Sequence, residues 1–76
     1  MPTIFTEGGF RFMIYPDDHP PPQVHAIGSD CMIKIGLDPL KVLSSVGAKA
    51  NDVRKAMAIA GRRREELLAA WRKFHG

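Results

Sequence analysis

The sequence contains one cysteine, one tryptophan and one tyrosine, and its last proline is Pro39. The single cysteine, Cys31, excludes an internal disulfide, which a small extracellular domain usually needs. We expect it to be a small core residue. No apolar run approaches the roughly 20 residues that span a bilayer, and the N-terminus lacks the basic and apolar blocks of a signal peptide. The expectation is a cytoplasmic protein of a bacterium or phage, with no membrane partner.

The chain is also short, with 76 residues that we treat as a single domain, 1–76. A domain of this size buries only roughly 60% of its unfolded surface, so its core is thin. Doubly wound sheets and (β/α)₈ barrels are excluded. With 45% hydrophobic and 25% charged residues, the composition is that of an ordinary globular domain rather than a disordered tail.

The formal charge of +3 is unevenly distributed along the chain. Residues 1–45 carry three basic and five acidic side chains, whereas residues 46–76 carry eight basic and three acidic ones. All six prolines lie in the first segment. The sequence therefore predicts an acidic, turn-rich sheet half, 1–45, and a basic helical half, 46–76.

Alternation of apolar and polar residues predicts strands in the first half. It is clearest where Ile33, Ile35 and Leu37 alternate with Met32, Lys34 and Gly36. Glycines between the first two strands supply the positive φ of a tight hairpin. The predicted strands are Thr3–Thr6, Phe10–Tyr15, Gln23–Ile27, Cys31–Leu37 and a short edge strand at Lys41–Leu43.

From about Asn51, an expected N-cap, the period changes to that of an amphipathic helix. Its apolar stripe is expected to face the core: Val53, Met57, Ala60, Leu67, Leu68, Trp71 and Phe74. An exposed aromatic end, formed by Trp71 and Phe74, is the alternative. Gly61 is expected to bend or break the helix. Arg64 lies within the stripe, so either a break rotates it outward or it pairs with a carboxylate of the sheet half.

These segments predict an α+β fold. A small antiparallel sheet of three to five strands is expected to carry the C-terminal amphipathic helix, with its bend at Gly61, on one face.

The first candidate site is a polar loop that contains Asp17, Asp18, His19, Gln23 and His25. Two histidines can act as general base and acid, so a small metal-independent ribonuclease using His19, His25 and Asp18 is one hypothesis. A nearby cation, Arg11 or Lys34, would steady the phosphate. A non-catalytic binding loop is another hypothesis. In the purely structural alternative, Asp18 closes an Asx-turn and His19 packs on the prolines.

No metal site or cofactor is expected. His19 and His25 are separated by rigid prolines, and no cysteine pair supports them.

The second candidate site is a basic surface formed by the helical segment. Such a surface can bind RNA or DNA by neutralising phosphates. The alternative is a solvated face, in which Arg62 and Glu66 form an i,i+4 pair, and no aromatic residues interleave to stack bases. Its residues are Lys55, Arg62, Arg63, Arg72 and Lys73.

Several short motifs occur together in a fixed order along the whole chain. They are Met1-Pro2-Thr3-Ile4, Gly9-Phe10, Asp18-His19, Pro21-Pro22, His25, Ile33-Lys34-Ile35, Glu65-Glu66-Leu67-Leu68 and Trp71. With this pattern the chain resembles a family of small bacterial proteins, domain of unknown function 4160. The resemblance implies that the Asp-His…Pro-Pro-x-x-His loop is the family hallmark and that members are often encoded beside another short protein in toxin–antitoxin-like pairs. Gln23 stands where the family usually has a further histidine, which favours recognition over catalysis.

The functional expectation is a toxin–antitoxin-type accessory or regulatory protein. It would bind a partner protein, a cognate antitoxin or a host complex, or RNA. Two alternatives stay open. One is an inhibitor encoded by a mobile element that blocks a host defence complex, as anti-CRISPR proteins do; the other is the ribonuclease.

Overall fold

The computed structural model describes residues 3–75, so Met1, Pro2 and Gly76 of the predicted domain lie outside the described residues. The first four strands lie close to the predicted segments, and the fifth is longer than predicted. The elements are β1 (Thr3–Glu7), β2 (Phe10–Met13), β3 (Gln23–Ile27), β4 (Met32–Leu37), β5 (Leu40–Val46), α1 (Ala50–Arg62) and α2 (Arg64–His75).

The five strands form one antiparallel sheet in the order β1-β2-β3-β4-β5. Each strand neighbours the next one in sequence. The turn between β1 and β2 is tight, and Gly8 and Gly9 adopt φ values of 61° and 84° in it. Bulges interrupt the register twice, in β1 against β2 and in β5 against β4. The predicted α+β fold with an antiparallel sheet is confirmed.

One face of the sheet packs against the two helices and forms the core. The strand pairing places Phe12, Ala26 and Ile33 side by side on this face, and all three are fully buried. From the helices, Ala56, Ile59, Ala60, Leu67, Leu68 and Trp71 complete the cluster. Both helices are therefore held on the sheet by apolar burial, which is the main stabilising contribution in such a domain.

The C-terminal segment forms two helices rather than one helix bent at Gly61. The boundary lies at Arg63, whose backbone N–H donates to Ile59 O at 3.0 Å and closes α1. Asn51 is not the N-cap: Lys49 occupies that position, and Asp52 accepts a hydrogen bond from the Lys49 N–H at 3.0 Å.

The predicted apolar stripe is correct at Ala60, Leu67, Leu68 and Trp71, which are buried. Phe74 departs from it, with 36% of its surface exposed near the end of α2. Cys31 is half-buried and packs against the core.

Candidate functional site

The second face of the sheet, which we call the open face, faces away from the helices. Successive side chains of a strand point to opposite faces, and directly paired residues share a face. Arg11, Met13, His25 and Lys34 therefore all lie on the open face. The segment between β2 and β3, residues 14–22, folds over part of it, and we call this segment the proline loop. Met13 and His25 are consequently buried although no helix covers them.

A contact between Asp18 and His25 fastens the proline loop to β3. The ring of His25 donates from Nε2 to Asp18 Oδ2 at 2.9 Å. Tyr15 packs edge-to-face on the same ring with centroids 4.4 Å apart, and the Asp18 N–H donates to Tyr15 O. The carboxylate of Asp18 thus binds an imidazole seven residues further along the chain. In the purely structural alternative it would have closed an Asx-turn.

Gln23 makes the second attachment of the proline loop. Its amide nitrogen donates to His19 O at 2.9 Å and to Pro21 O at 3.4 Å. Gln23 is buried, whereas the His19 and Asp17 side chains are exposed. Of the five predicted loop residues, Gln23 and His25 are thus buried, Asp18 is half-buried, and the remaining two are exposed.

The two histidines of the loop lie in different environments. His25 Nδ1 is buried without a hydrogen-bond partner, whereas the His19 side chain is exposed.

Gln23 Oε1 also lacks a partner under the proline loop. Buried polar atoms are usually hydrogen-bonded, and these two unpartnered atoms belong to alternate residues of β3 on the open face. Across the described chain, no group of three or more His, Cys, Asp or Glu side chains is placed to hold a metal ion.

The predicted basic surface is divided among different environments. Arg62 pairs with Glu7, and Arg63 donates to Glu7 at 2.8 Å and lies 3.5 Å above the ring of Phe5. Glu66 pairs with Arg63. The i,i+4 spacing predicts a pair between Arg62 and Glu66 instead, and Arg62 binds Glu7. The remaining predicted members, Lys55, Arg72 and Lys73, are exposed.

Arg64 pairs with a carboxylate of the sheet half, which was the second of its two predicted alternatives. Its Nε donates to Leu37 O at 2.6 Å, and its Nη2 lies 3.2 Å from Asp38 Oδ1. It therefore ties the start of α2 to the β4–β5 turn.

A cleft of about 370 Å³ lies away from the proline loop. The β1–β2 turn, the β3–β4 turn and the start of α1 line it, with two lysines and two aspartates at its rim: Asp30, Lys49, Asp52 and Lys55.

The edge strand β5 is the feature that sequence reasoning underestimated. It was predicted as three residues, Lys41–Leu43, but extends over seven, Leu40–Val46. Three of its apolar side chains are exposed: Val42 at 39%, Leu43 at 38% and Val46 at 66%. The signal was present in the apolar residues that recur through Leu40–Val46, but Ser44 and Ser45 interrupt it.

A family model for a domain of unknown function, DUF4160, matches residues 9–72 of the chain. The chain belongs to this family. The matched range includes the whole proline loop, β5 and nearly all of both helices, so the features described above are parts of the family's domain. The match identifies the family and supplies no activity.

No match was found among curated proteins or among solved structures. None of the helices in the described part of the chain is long and apolar enough to cross a membrane.

Proposed function

We propose that the protein is a small regulatory protein of the toxin–antitoxin type, which acts by binding a partner protein at β5. The observation that carries the proposal is the exposed edge of this strand. In residues 3–75, β5 pairs only with β4, and it exposes Val42, Leu43 and Val46. An edge strand presents a row of backbone donors and acceptors to which another chain can add.

The other edge of the sheet is guarded. Strand β1 is interrupted by a bulge and ends at Glu7, which pairs with Arg62 and Arg63. Natural proteins protect edges with charges and bulges of this kind. Each edge strand has one bulge and one charged side chain, Glu7 on β1 and Lys41 on β5. The two edges differ in apolar exposure: Ile4 and Phe5 of β1 are half-buried, whereas three apolar side chains of β5 are exposed. This difference favours β5 as the surface for a partner.

The ribonuclease alternative has less support, because the Asp18–His25 contact and the burial of His25 Nδ1 explain this histidine as a fastening. The anti-CRISPR-like alternative would use the same surface. It differs in its partner, a host defence complex instead of a cognate protein, so identification of the partner separates the two.

The test is a comparison of Val46→Lys with Phe74→Lys. Both replace an exposed apolar side chain by lysine, but one lies on β5 and the other on α2. The tagged full chain is purified from its host with bound material, the recovered protein is identified and purified, and its affinity is measured by calorimetry. We expect Val46→Lys to weaken binding at least about tenfold, or about 1.4 kcal/mol, and Phe74→Lys to leave it unchanged.

The proposal fails if no protein is recovered in stoichiometric amount, if RNA is recovered instead, or if Phe74→Lys is the variant that weakens binding. Thermal unfolding of both variants checks that neither has lost its fold. Cleavage of RNA that is abolished by both His19→Ala and His25→Ala would establish the ribonuclease in its place.

A further inference from the structure

The open face has one sign of charge along its strands. Arg11, Lys34 and Lys41 all lie on it according to the strand pairing, and none of its described strand residues is Asp or Glu. These three are all the lysines and arginines of residues 1–45. Of the five carboxylates of that segment, Glu7 and Asp38 pair with helix arginines. Asp18 lies over the open face, where it binds His25, the strand neighbour of Lys34.

Two of these cations lie on the last two strands of the sheet. Lys34 of β4 is paired with Ser44, and Lys41 of β5 is paired with Gly36. The two lysines are on neighbouring strands, and Lys41 is opposite Gly36, which is two residues from Lys34 along β4. Their Cα atoms are therefore about 8 Å apart. Lys41 is exposed and Lys34 is half-buried, so a chain lying along β5 passes close to both.

Apolar side chains stand between and beside the two lysines. Met32 and Val46 are directly paired and exposed on the open face. Leu43 is the extra residue of the bulge, and it occupies the space above Gly36, where an added Cβ would lie 3.4 Å from Leu43 Cδ2. The surface next to the free edge is thus apolar with two positive charges.

We infer that the partner binds through a short β-strand that carries acidic and apolar side chains in alternation and adds to the free edge of β5. This inference rests on the proposed function and specifies the chemistry of the partner. Backbone hydrogen bonds supply the pairing. Carboxylates beside Lys41, on the face that also carries Lys34 one strand further in, supply the selectivity, since charge complementarity governs partner choice more than affinity.

The bulge limits the length of the added strand. It breaks the register between Val42 and Ser44, and bulges bend and twist a strand locally. The bulge lies between Lys41 and Ser44, the partner of Lys34. A strand that passes both lysines therefore has to follow this bend, so a short segment fits this edge better than a long, flat strand.

Two other occupants fit the surface less well. A second copy of this chain that paired through β5 would add its own Lys41 to the joined edge, and like charges across a strand pair are destabilising. RNA would meet the positive charges, but β4 and β5 contain no aromatic ring on which a base could stack. RNA also has no backbone amide to pair with a strand edge.

The inference is tested with capped hexapeptides and the ¹⁵N-labelled full chain. One peptide alternates valine with glutamate, a second alternates valine with lysine, and a third alternates serine with glutamate. We expect the valine–glutamate peptide to shift the amide signals of Leu40–Val46. It should bind about tenfold more tightly than the valine–lysine peptide, since two exposed charge pairs contribute about threefold each. The serine–glutamate peptide should bind more weakly than the valine–glutamate one.

Two variants locate the selectivity. Replacing both lysines, Lys34→Gln with Lys41→Gln, should reduce the preference for the acidic peptide to less than about twofold, because both charge pairs are lost. Arg11→Gln is the matched control: it removes a cation from the same face, but on β2, two strands from β4. This variant should retain the preference.

The inference is overturned by equal affinity for the acidic and basic peptides, by no peptide binding at millimolar concentration, by signal shifts on α1 or α2, or by displacement of the peptide by oligouridylate. Concentration-dependent dimerisation of the free chain that Val46→Lys abolishes would assign the edge to a second copy. If the purified partner depends on Val46 but not on Lys34 and Lys41, the acidic specificity fails while the proposed function stands. If that partner binds elsewhere, the proposed function fails.

Discussion

Each of the three consecutive arginines makes a different contact. Arg62 pairs with Glu7 at the surface, Arg63 lies on Phe5 and joins Glu7 to Glu66, and Arg64 binds Leu37 O. Surface pairs of the first kind contribute little, whereas an arginine stacked on an aromatic ring also buries apolar area. These three arginines therefore contribute to the fold, and the exposed part of the predicted basic surface is formed by Lys55, Arg72 and Lys73.

At the same scale, the contact between Asp18 and His25 is expected to hold the proline loop. His25→Ala removes the buried donor and should lower the free energy of unfolding by about 1–3 kcal/mol. Amide exchange in residues 14–22 should accelerate. Urea unfolding and hydrogen exchange measure the two effects.

The control for this variant is His19→Ala, which changes an exposed side chain of the same loop. It should leave stability within about 0.5 kcal/mol. Equal effects of the two substitutions would contradict a fastening role for His25.

The aromatic residues of α2 provide a second pair for comparison. Trp71 is 5% exposed and stacks on His75, whereas Phe74 is 36% exposed. Trp71→Ala should cost about 3–5 kcal/mol, because it leaves a cavity in a thin core. Phe74→Ala should cost much less. Thermal or urea unfolding gives both values, and a Trp71→Ala protein as stable as wild type would show that this ring does not support the core.

At the scale of elements, the boundary between α1 and α2 shows why local propensity misplaces a break. Gly61 remains helical, and an added Cβ there would lie 3.2 Å from Leu40 Cδ2. The missing side chain lets α1 approach β5 closely. The chain instead changes direction at Arg63, next to the residue that ties α2 to the sheet.

That tie gives a prediction for the second helix. Arg64→Ala should destabilise the protein by about 1–3 kcal/mol, because Leu37 O loses a charged donor. Arg62→Ala removes only an exposed pair and should cost less than about 1 kcal/mol. Urea unfolding of the two variants measures the difference. Values of equal size would show that the Arg64 contact contributes no more than a surface pair.

The strands were more predictable than their ends. Alternation located β4 correctly because one of its faces is buried against the helices. The extension of β5 through Ser44–Val46 could not be predicted in this way, since all three residues are exposed and carry no burial pattern. Their strand conformation comes from pairing with β4, which depends on tertiary structure.

At the scale of the whole molecule, one core joins the sheet and both helices. The buried cluster contains residues of β2, β3, β4, α1 and α2. We therefore expect a single cooperative transition. The fluorescence of Trp71 and the far-ultraviolet circular dichroism signal should report the same midpoint in urea. Separate midpoints would show that the helices detach before the sheet unfolds.

The charge of the molecule is also arranged differently from its distribution along the chain. The acidic half supplies Glu7 and Asp38 to helix arginines, and its own cations remain on the open face. The segment with the negative total therefore presents a positive strand surface. Summation along a sequence does not reveal this, because pairing between distant residues decides which charges stay unneutralised.

The sequence by itself determined the α+β class, the alternating strands, the helical second half and the polar loop, because periodicity and turn residues act over a few neighbouring positions. Only the tertiary structure decided three further features. These are the use of His25 as a fastening, the neutralisation of the arginines, and the exposure of β5 beside Lys34 and Lys41. Each depends on strand register and on contacts between residues far apart in the chain, which local patterns do not encode.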